Sequence, residues 1–133
     1  VATLADRYTR SGASQGETRS HGFFYRPDGE ESGLLGLPIR GPGRAGAEQL
    51  AHGSASVLFL RNRAFRFTEL GDLAARPVAA DDGCLVSCLD WYGNTRPLFL
   101  RGRIFALMGY ELVEGAESDG RIRETRRVSF APK

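Results

Sequence analysis

Short stretches of alternating apolar and polar residues, separated by turn-forming residues, run along most of the chain. Phe65 and Phe67 are predicted to share one face of a half-buried strand, with Arg66 and Thr68 on the other face. Residues 34–39 show the same alternation after a predicted turn at residues 28–33, with Leu35, Leu37 and Ile39 on one face. The chain is therefore predicted to be all-β, and its one weakly helical stretch, residues 45–52, is interpreted as a loop or a single turn.

Two segments of the sequence resemble each other. Residues 58–65 read Leu-Phe-Leu-Arg-Asn-Arg-Ala-Phe, and residues 98–105 read Leu-Phe-Leu-Arg-Gly-Arg-Ile-Phe, so six of eight positions agree at an offset of 40 residues. Each segment is predicted to be a hairpin, with turns at residues 61–63 and 101–103. Phe65 and Phe105 are then expected at equivalent buried positions. A period of about 40–45 residues with about four strands per unit is typical of a β-propeller blade.

The predicted fold is the C-terminal part of a β-propeller, with two to three four-stranded antiparallel sheets as its last blades. Residues 1–20 are expected to form the end of a preceding blade and a loop, residues 21–71 the penultimate blade, and residues 72–133 the last blade with its closing strand. Because propellers close with about four to eight blades, this piece is expected to dock against other material. Its predicted partner is the remaining N-terminal part of its own propeller or another protein chain, and the start at Val1 suggests that a longer protein was processed or cut.

Some motifs are similar to those of a known family. They are residues 6–9 (Asp-Arg-Tyr-Thr), 20–27 (Ser-His-Gly-Phe-Phe-Tyr-Arg-Pro), 33–39 (Gly-Leu-Leu-Gly-Leu-Pro-Ile) and 96–107 (Arg-Pro-Leu-Phe-Leu-Arg-Gly-Arg-Ile-Phe-Ala-Leu). Over about residues 5–115 they resemble bacterial secreted proteins with a C-terminal β-propeller domain, which is distantly WD40-like. Gly22, Arg26 and the turn at 101–103 depart from that pattern. The resemblance implies an exported protein of the cell envelope or the extracellular space, and it offers no catalytic residues to carry over.

The charge balance argues against nucleic-acid binding, and the short apolar runs argue against a membrane span. The chain has 18 basic and 16 acidic side chains and a formal net charge of +2, so the strong positive field of a nucleic-acid-binding domain is not expected. Residues 121–127 are its most basic patch and are interpreted as a solvated edge strand protected from aggregation by charge. No apolar run approaches the roughly 20 residues of a transmembrane helix, so no membrane span is predicted.

The two cysteines, Cys84 and Cys88, are four residues apart, which differs from the Cys-x-x-Cys spacing of zinc and redox sites. A straight strand would hold them roughly 13 Å apart, too far for a disulfide. The preceding Asp-Asp-Gly at residues 81–83 indicates a loop, in which they could meet. A small local disulfide or two free thiols are favoured over a metal site, and no cofactor is expected.

The aromatic turn at Trp91, Tyr92 and Asn94 is a candidate binding site for a protein or a carbohydrate, with packing at the end of a blade as the simpler interpretation. His21 is a further candidate, although a structural hydrogen bond is its expected role. Acidic loops such as residues 28–31, 81–83 and 117–120 lack calcium-loop spacing and are explained by turn chemistry. Residues 12–16 fit Gly-x-Ser-x-Gly, but because no helix can follow, a flexible loop is predicted and no catalytic residue is assigned.

These observations together predict a non-enzymatic scaffold that binds a partner on its loops. One alternative is a propeller hydrolase or lyase with catalytic residues at the channel mouth, to which His21 or Asp90 would contribute. The other is a structural subunit of an envelope or surface assembly, which a large apolar interface with a different chain would favour.

Overall fold

The computed structural model describes residues 1–10, 13–14, 23–40, 55–76 and 95–130. The regular structure in these ranges is entirely β, which confirms the predicted all-β class. No helix in these ranges has the length and apolarity needed to cross a lipid bilayer. The strands are β1 (Ala13–Ser14), β2 (Phe24–Gly29), β3 (Ser32–Arg40), β4 (Ala55–Arg63), β5 (Arg66–Ala74), β6 (Arg96–Leu100), β7 (Arg103–Met108), β8 (Glu111–Ser118) and β9 (Arg121–Ser129).

The strands form two antiparallel sheets. In the first sheet the strand order is β1-β3-β4-β5, and β2 also pairs with β3. Strands β1 and β2 lie along the same edge of β3: β2 pairs with residues 32–36, and β1 pairs with Ile39 and Arg40. Ser14, which was predicted to lie in a flexible loop, is therefore part of a short strand. The second sheet has the order β6-β7-β8-β9, so each strand pairs with the next strand along the chain.

The two sheets pack face to face with their strands in matching order. Strand β3 contacts β6, β4 contacts β7, and β5 contacts both β8 and β9. The shared core is apolar and contains residues from both sheets: Leu34, Val57, Phe59, Leu70, Leu73, Ile104, Ala106, Met108, Val113 and Ile122. The Phe59 and Phe99 rings meet edge to face across this core, with their centroids 6.4 Å apart.

The central strands of the first sheet, β3 and β4, are buried on both faces. On the side away from the second sheet, Leu35, Leu37 and Ile39 pack with Leu58 and Leu60, as their alternation predicted. The N-terminal segment lies against this side. Its Tyr8 ring packs on the cluster and the Tyr8 hydroxyl donates to Glu69, while Asp6 accepts the Phe67 backbone N–H at 2.7 Å. Burial on both faces explains why residues 57–60 form a continuous apolar run instead of alternating with polar residues.

Charged side chains join the two sheets at both ends of the core. Arg61 of β4 lies between Asp28 of β2 and Glu117 of β8, and only 11% of its side chain is exposed. At the other end, Glu111 of β8 is buried and accepts the Arg76 backbone N–H at 2.9 Å and a guanidinium N–H of Arg127. Ion pairs and charged hydrogen bonds thus lie at both ends of the interface between the sheets, and the centre of the interface is apolar.

The first hairpin turns later than its sequence indicated. Strand β4 continues through residues 61–63, the predicted turn, and the chain reverses at Ala64 and Phe65, both of which have positive φ. The second hairpin turns at Arg101 and Gly102, where a turn was predicted. The two turns are therefore 37 residues apart (Ala64 to Arg101). The predicted equivalence of Phe65 and Phe105 is wrong, because Phe65 lies in the turn and is 55% exposed, whereas Phe105 is a half-buried strand residue.

Candidate functional site

The second sheet differs from the first in that one of its faces is partly open. Its inward-facing residues on β7 and β8, such as Ile104, Ala106, Met108 and Val113, are buried against the first sheet. The residues that alternate with them point away from the first sheet, and cross-strand pairing places these residues in two rows. We call this surface the outer face; its apolar residues are Leu98, Phe105, Leu107, Leu112 and Val128.

These five side chains form one continuous apolar surface. Leu107 of β7, Leu112 of β8 and Val128 of β9 are consecutive partners across three strands, and Leu98 of β6 is the partner of Phe105. Val128 is 46% exposed, and the other four side chains, Leu98, Phe105, Leu107 and Leu112, are half-buried. Partly exposed apolar rows on adjacent strands are costly in water unless a partner covers them.

A shallow depression of about 320 Å³ lies in the middle of the outer face. Phe105, Leu112 and Val128 supply its apolar walls, and Arg103, Glu114 and Arg126 supply charge. The Arg103 guanidinium also lies over the Phe105 ring, 4.8 Å from its centroid, in cation–π geometry. The depression can therefore accept an apolar side chain with a polar group beside it.

One ion pair of this depression is fixed in geometry. Arg103 donates to both oxygens of Glu114, at 2.7 Å from Nε and 2.6 Å from Nη2, which is a bidentate arrangement. This hydrogen bonding holds the pKa of Glu114 below its ordinary value, with a smaller contribution from Arg126. Arg103 already neutralises Glu114, and Arg126 forms no ion pair with any residue that the structure describes, so Arg126 adds a positive charge at the rim of the depression.

The outer face offers apolar contact area, an aromatic ring and a guanidinium with which a carboxylate could pair. Within the part of the chain that the structure describes, no group of three or more His, Cys, Asp or Glu residues could hold a metal ion. Two acidic turn residues considered as calcium ligands, Asp28 and Glu117, are instead paired with Arg61.

The residues singled out from the sequence lie outside the described ranges. They are His21, Cys84, Cys88, Trp91, Tyr92 and Asn94. Their proposed binding and disulfide roles remain predictions. Sequence reasoning missed the outer face, although residues 104–108 carry a signal for it, because five consecutive apolar residues in a strand make both of its faces apolar.

Comparisons of the chain with protein families, with curated proteins and with solved structures found no match.

Proposed function

We propose that this chain is a non-enzymatic interaction scaffold, built as two neighbouring blades of a β-propeller in an exported bacterial protein. Two features support the blade arrangement. Each sheet contains a four-stranded antiparallel meander, β2 to β5 and β6 to β9, and the meanders stack face to face with their strands in the same order, β3 against β6 and β4 against β7. Radially repeated four-stranded sheets packed face to face are how propellers are built. The exported location rests on the resemblance of the sequence motifs.

One observation carries the proposed function: the apolar rows of the outer face are no more than half-buried within the described chain, whereas the central strands of the first sheet, β3 and β4, are buried on both faces. The proposed occupant is a further four-stranded antiparallel sheet, from the rest of the same protein or from another chain.

The interface inside the molecule supports this choice of occupant. There, an apolar centre is flanked by Arg61 of one sheet paired with Glu117 of the other. The outer face has the same composition, with an apolar centre and with Arg126 at its rim. An occupant with a carboxylate opposite Arg126 would reproduce the internal arrangement.

Hydroxyl-radical footprinting tests this proposal by comparing the isolated 133-residue chain with the protein purified from its native source. Phe105 and Leu112 should be oxidised in the isolated chain and protected in the native protein, while the exposed Phe65 is oxidised in both. Equal oxidation of Phe105 and Leu112 in the two samples would overturn the proposal.

A pair of variants on one strand makes the test specific. Leu112→Asp places a charge in the apolar rows and should abolish the protection of Phe105 in the native protein. Ala116→Asp adds the same charge at an exposed position of the same strand, β8, beyond the rows. Ala116→Asp should leave the protection intact, and loss of protection in both variants would contradict the assignment of the outer face.

A further inference from the structure

The ion pairs that join the two sheets all have the same direction. Arg61 of β4 pairs with Glu117 of β8. Arg76, which follows β5, pairs with Glu124 of β9 at 3.2 Å. In both pairs the first sheet supplies the arginine and the second sheet supplies the carboxylate. Among the described residues, no ion pair between the sheets has the opposite direction, so the contact is directional in charge.

The contact on the other side of the first sheet has the same direction. There Arg10 of the N-terminal segment pairs with Glu69 at 3.1 Å and with Asp72 at 3.9 Å. Both carboxylates belong to β5, and they lie on the side away from the second sheet because their cross-strand partners are Leu60 and Leu58. At both contacts, therefore, the arginine comes from the layer that is earlier in the chain, and the carboxylate comes from the layer that follows.

On the outer face, the acidic side chains already have arginines of their own sheet. Glu114 is held by Arg103 in the bidentate pair. Asp119, in the turn between β8 and β9, has Arg123 at 4.0 Å. The acids of this surface are therefore matched, and the arginines that remain determine what its occupant must offer.

Two arginines of the outer face have no carboxylate. Arg96 of β6 and Arg126 of β9 form no ion pair with any residue that the structure describes. Arg96 is the partner of Leu107 and Arg126 is the partner of Glu114, so both belong to the two rows. They lie on the two edge strands, three strand spacings or about 14 Å apart. Arg121 is not counted with them, because it lines a separate depression with acidic residues of β5.

We propose that the sheet that covers the outer face presents carboxylates opposite Arg96 and Arg126, so that the charge direction of the two observed contacts continues through a third. This inference rests on the proposed function and names the chemistry of the occupant of the same surface. A guanidinium that is covered without a carboxylate loses its water and gains no partner, which is costly. Charge complementarity therefore favours an occupant with acidic side chains at these two positions over one that is only apolar.

Zero-length cross-linking of the protein in its native source tests this inference. A carbodiimide joins an amine to a carboxylate in direct contact, and the chain has a single lysine, Lys133, so few other amines compete. Arg126→Lys keeps the charge and introduces an amine. It should be joined to an Asp or Glu outside the 133 residues, and Arg96→Lys should be joined to a second one. Arg66→Lys, at an exposed position of β5, should give no such cross-link.

Charge reversal tests the same pairing by hydroxyl-radical footprinting. Arg126→Glu should raise the oxidation of Phe105 in the native protein about threefold or more, because it places carboxylates opposite each other. Arg126→Lys should leave the protection of Phe105 unchanged. Arg66→Glu makes the same reversal on the first sheet and should also leave it unchanged. The thermal unfolding midpoint of each variant shows that it is folded.

The results distinguish this inference from the proposed function. If Phe105 is oxidised equally in the isolated chain and in the native protein, the outer face has no occupant and both are overturned. If Phe105 is protected but Arg126→Lys gives no cross-link outside the 133 residues, or if Arg126→Glu keeps the protection, the outer face has an occupant without the expected carboxylates. Only the charge direction is then overturned.

Discussion

Replacing Phe65 by glycine should cost the fold less than replacing it by alanine, which reverses the usual order within a β-hairpin. Both variants remove the ring and its partial burial, so their difference isolates the effect of a Cβ atom at this backbone position. Because φ of residue 65 is 59°, alanine keeps the left-handed strain, whereas glycine adopts this conformation freely.

The size of the difference follows from two opposing contributions. The left-handed conformation costs a non-glycine residue roughly 1–2 kcal/mol. Glycine loses more backbone entropy on folding, which costs about 0.5–1 kcal/mol relative to alanine. The net advantage of Phe65→Gly over Phe65→Ala is therefore about 0.5–1 kcal/mol, equivalent to a midpoint difference of about 2–5 °C for a chain of this size.

Thermal and urea unfolding of the two variants, followed by circular dichroism, measure this difference. The expected result is a higher midpoint for Phe65→Gly in both experiments, with the same dependence on urea concentration. The matched pair Arg66→Gly and Arg66→Ala, one residue further along in β5, should show the opposite order, because glycine weakens a regular strand. A Phe65→Ala protein as stable as Phe65→Gly would refute the strained turn.

Three other predictions concern the packing and the charges. Gly36→Ala should destabilise the chain by roughly 1–3 kcal/mol in urea unfolding, because the new Cβ would lie 2.4 Å from Pro97 Cβ between the sheets. Phe59→Ala should cost about 3–5 kcal/mol in the same assay, since it removes a fully buried ring from the core. The hydrogen bond from Arg127 lowers the pKa of Glu124 in the folded protein from its ordinary value of 4.5. The ionised Glu124 carboxylate therefore contributes its full stabilisation of the fold above pH 4.5, and this contribution is lost as the pH falls through the lowered pKa of the folded state. The free energy of unfolding of Glu124→Gln, measured by urea unfolding at several pH values, should therefore fall less steeply than that of the unaltered chain as the pH drops below about 4.5.

Turn chemistry explains why one hairpin was predicted correctly and the other was displaced. Arg101 and Gly102 carry the turn signal that glycine gives, and the chain reverses there. Asn62 and its two arginine neighbours look like a turn because asparagine and charged residues are common in turns. In the structure, however, Arg61 is held between carboxylates of the two sheets, and the Asn62 side-chain amide donates to the Tyr25 hydroxyl at 3.0 Å. These tertiary contacts keep residues 61–63 in the strand and push the reversal onto Ala64 and Phe65, which carry no turn signal.

The candidate site shows a different limit of sequence reasoning. Alternation correctly predicted the shared face of Leu35, Leu37 and Ile39, because a glycine and a proline lie between these three large apolar residues. Residues 104–108 are apolar throughout, so periodicity alone assigns no inner and outer face to β7. The distinction arises only when the first sheet packs against Ile104, Ala106 and Met108, which leaves Phe105 and Leu107 on the open side. The outer face is a consequence of how the sheets stack, and stacking is not encoded in a local pattern.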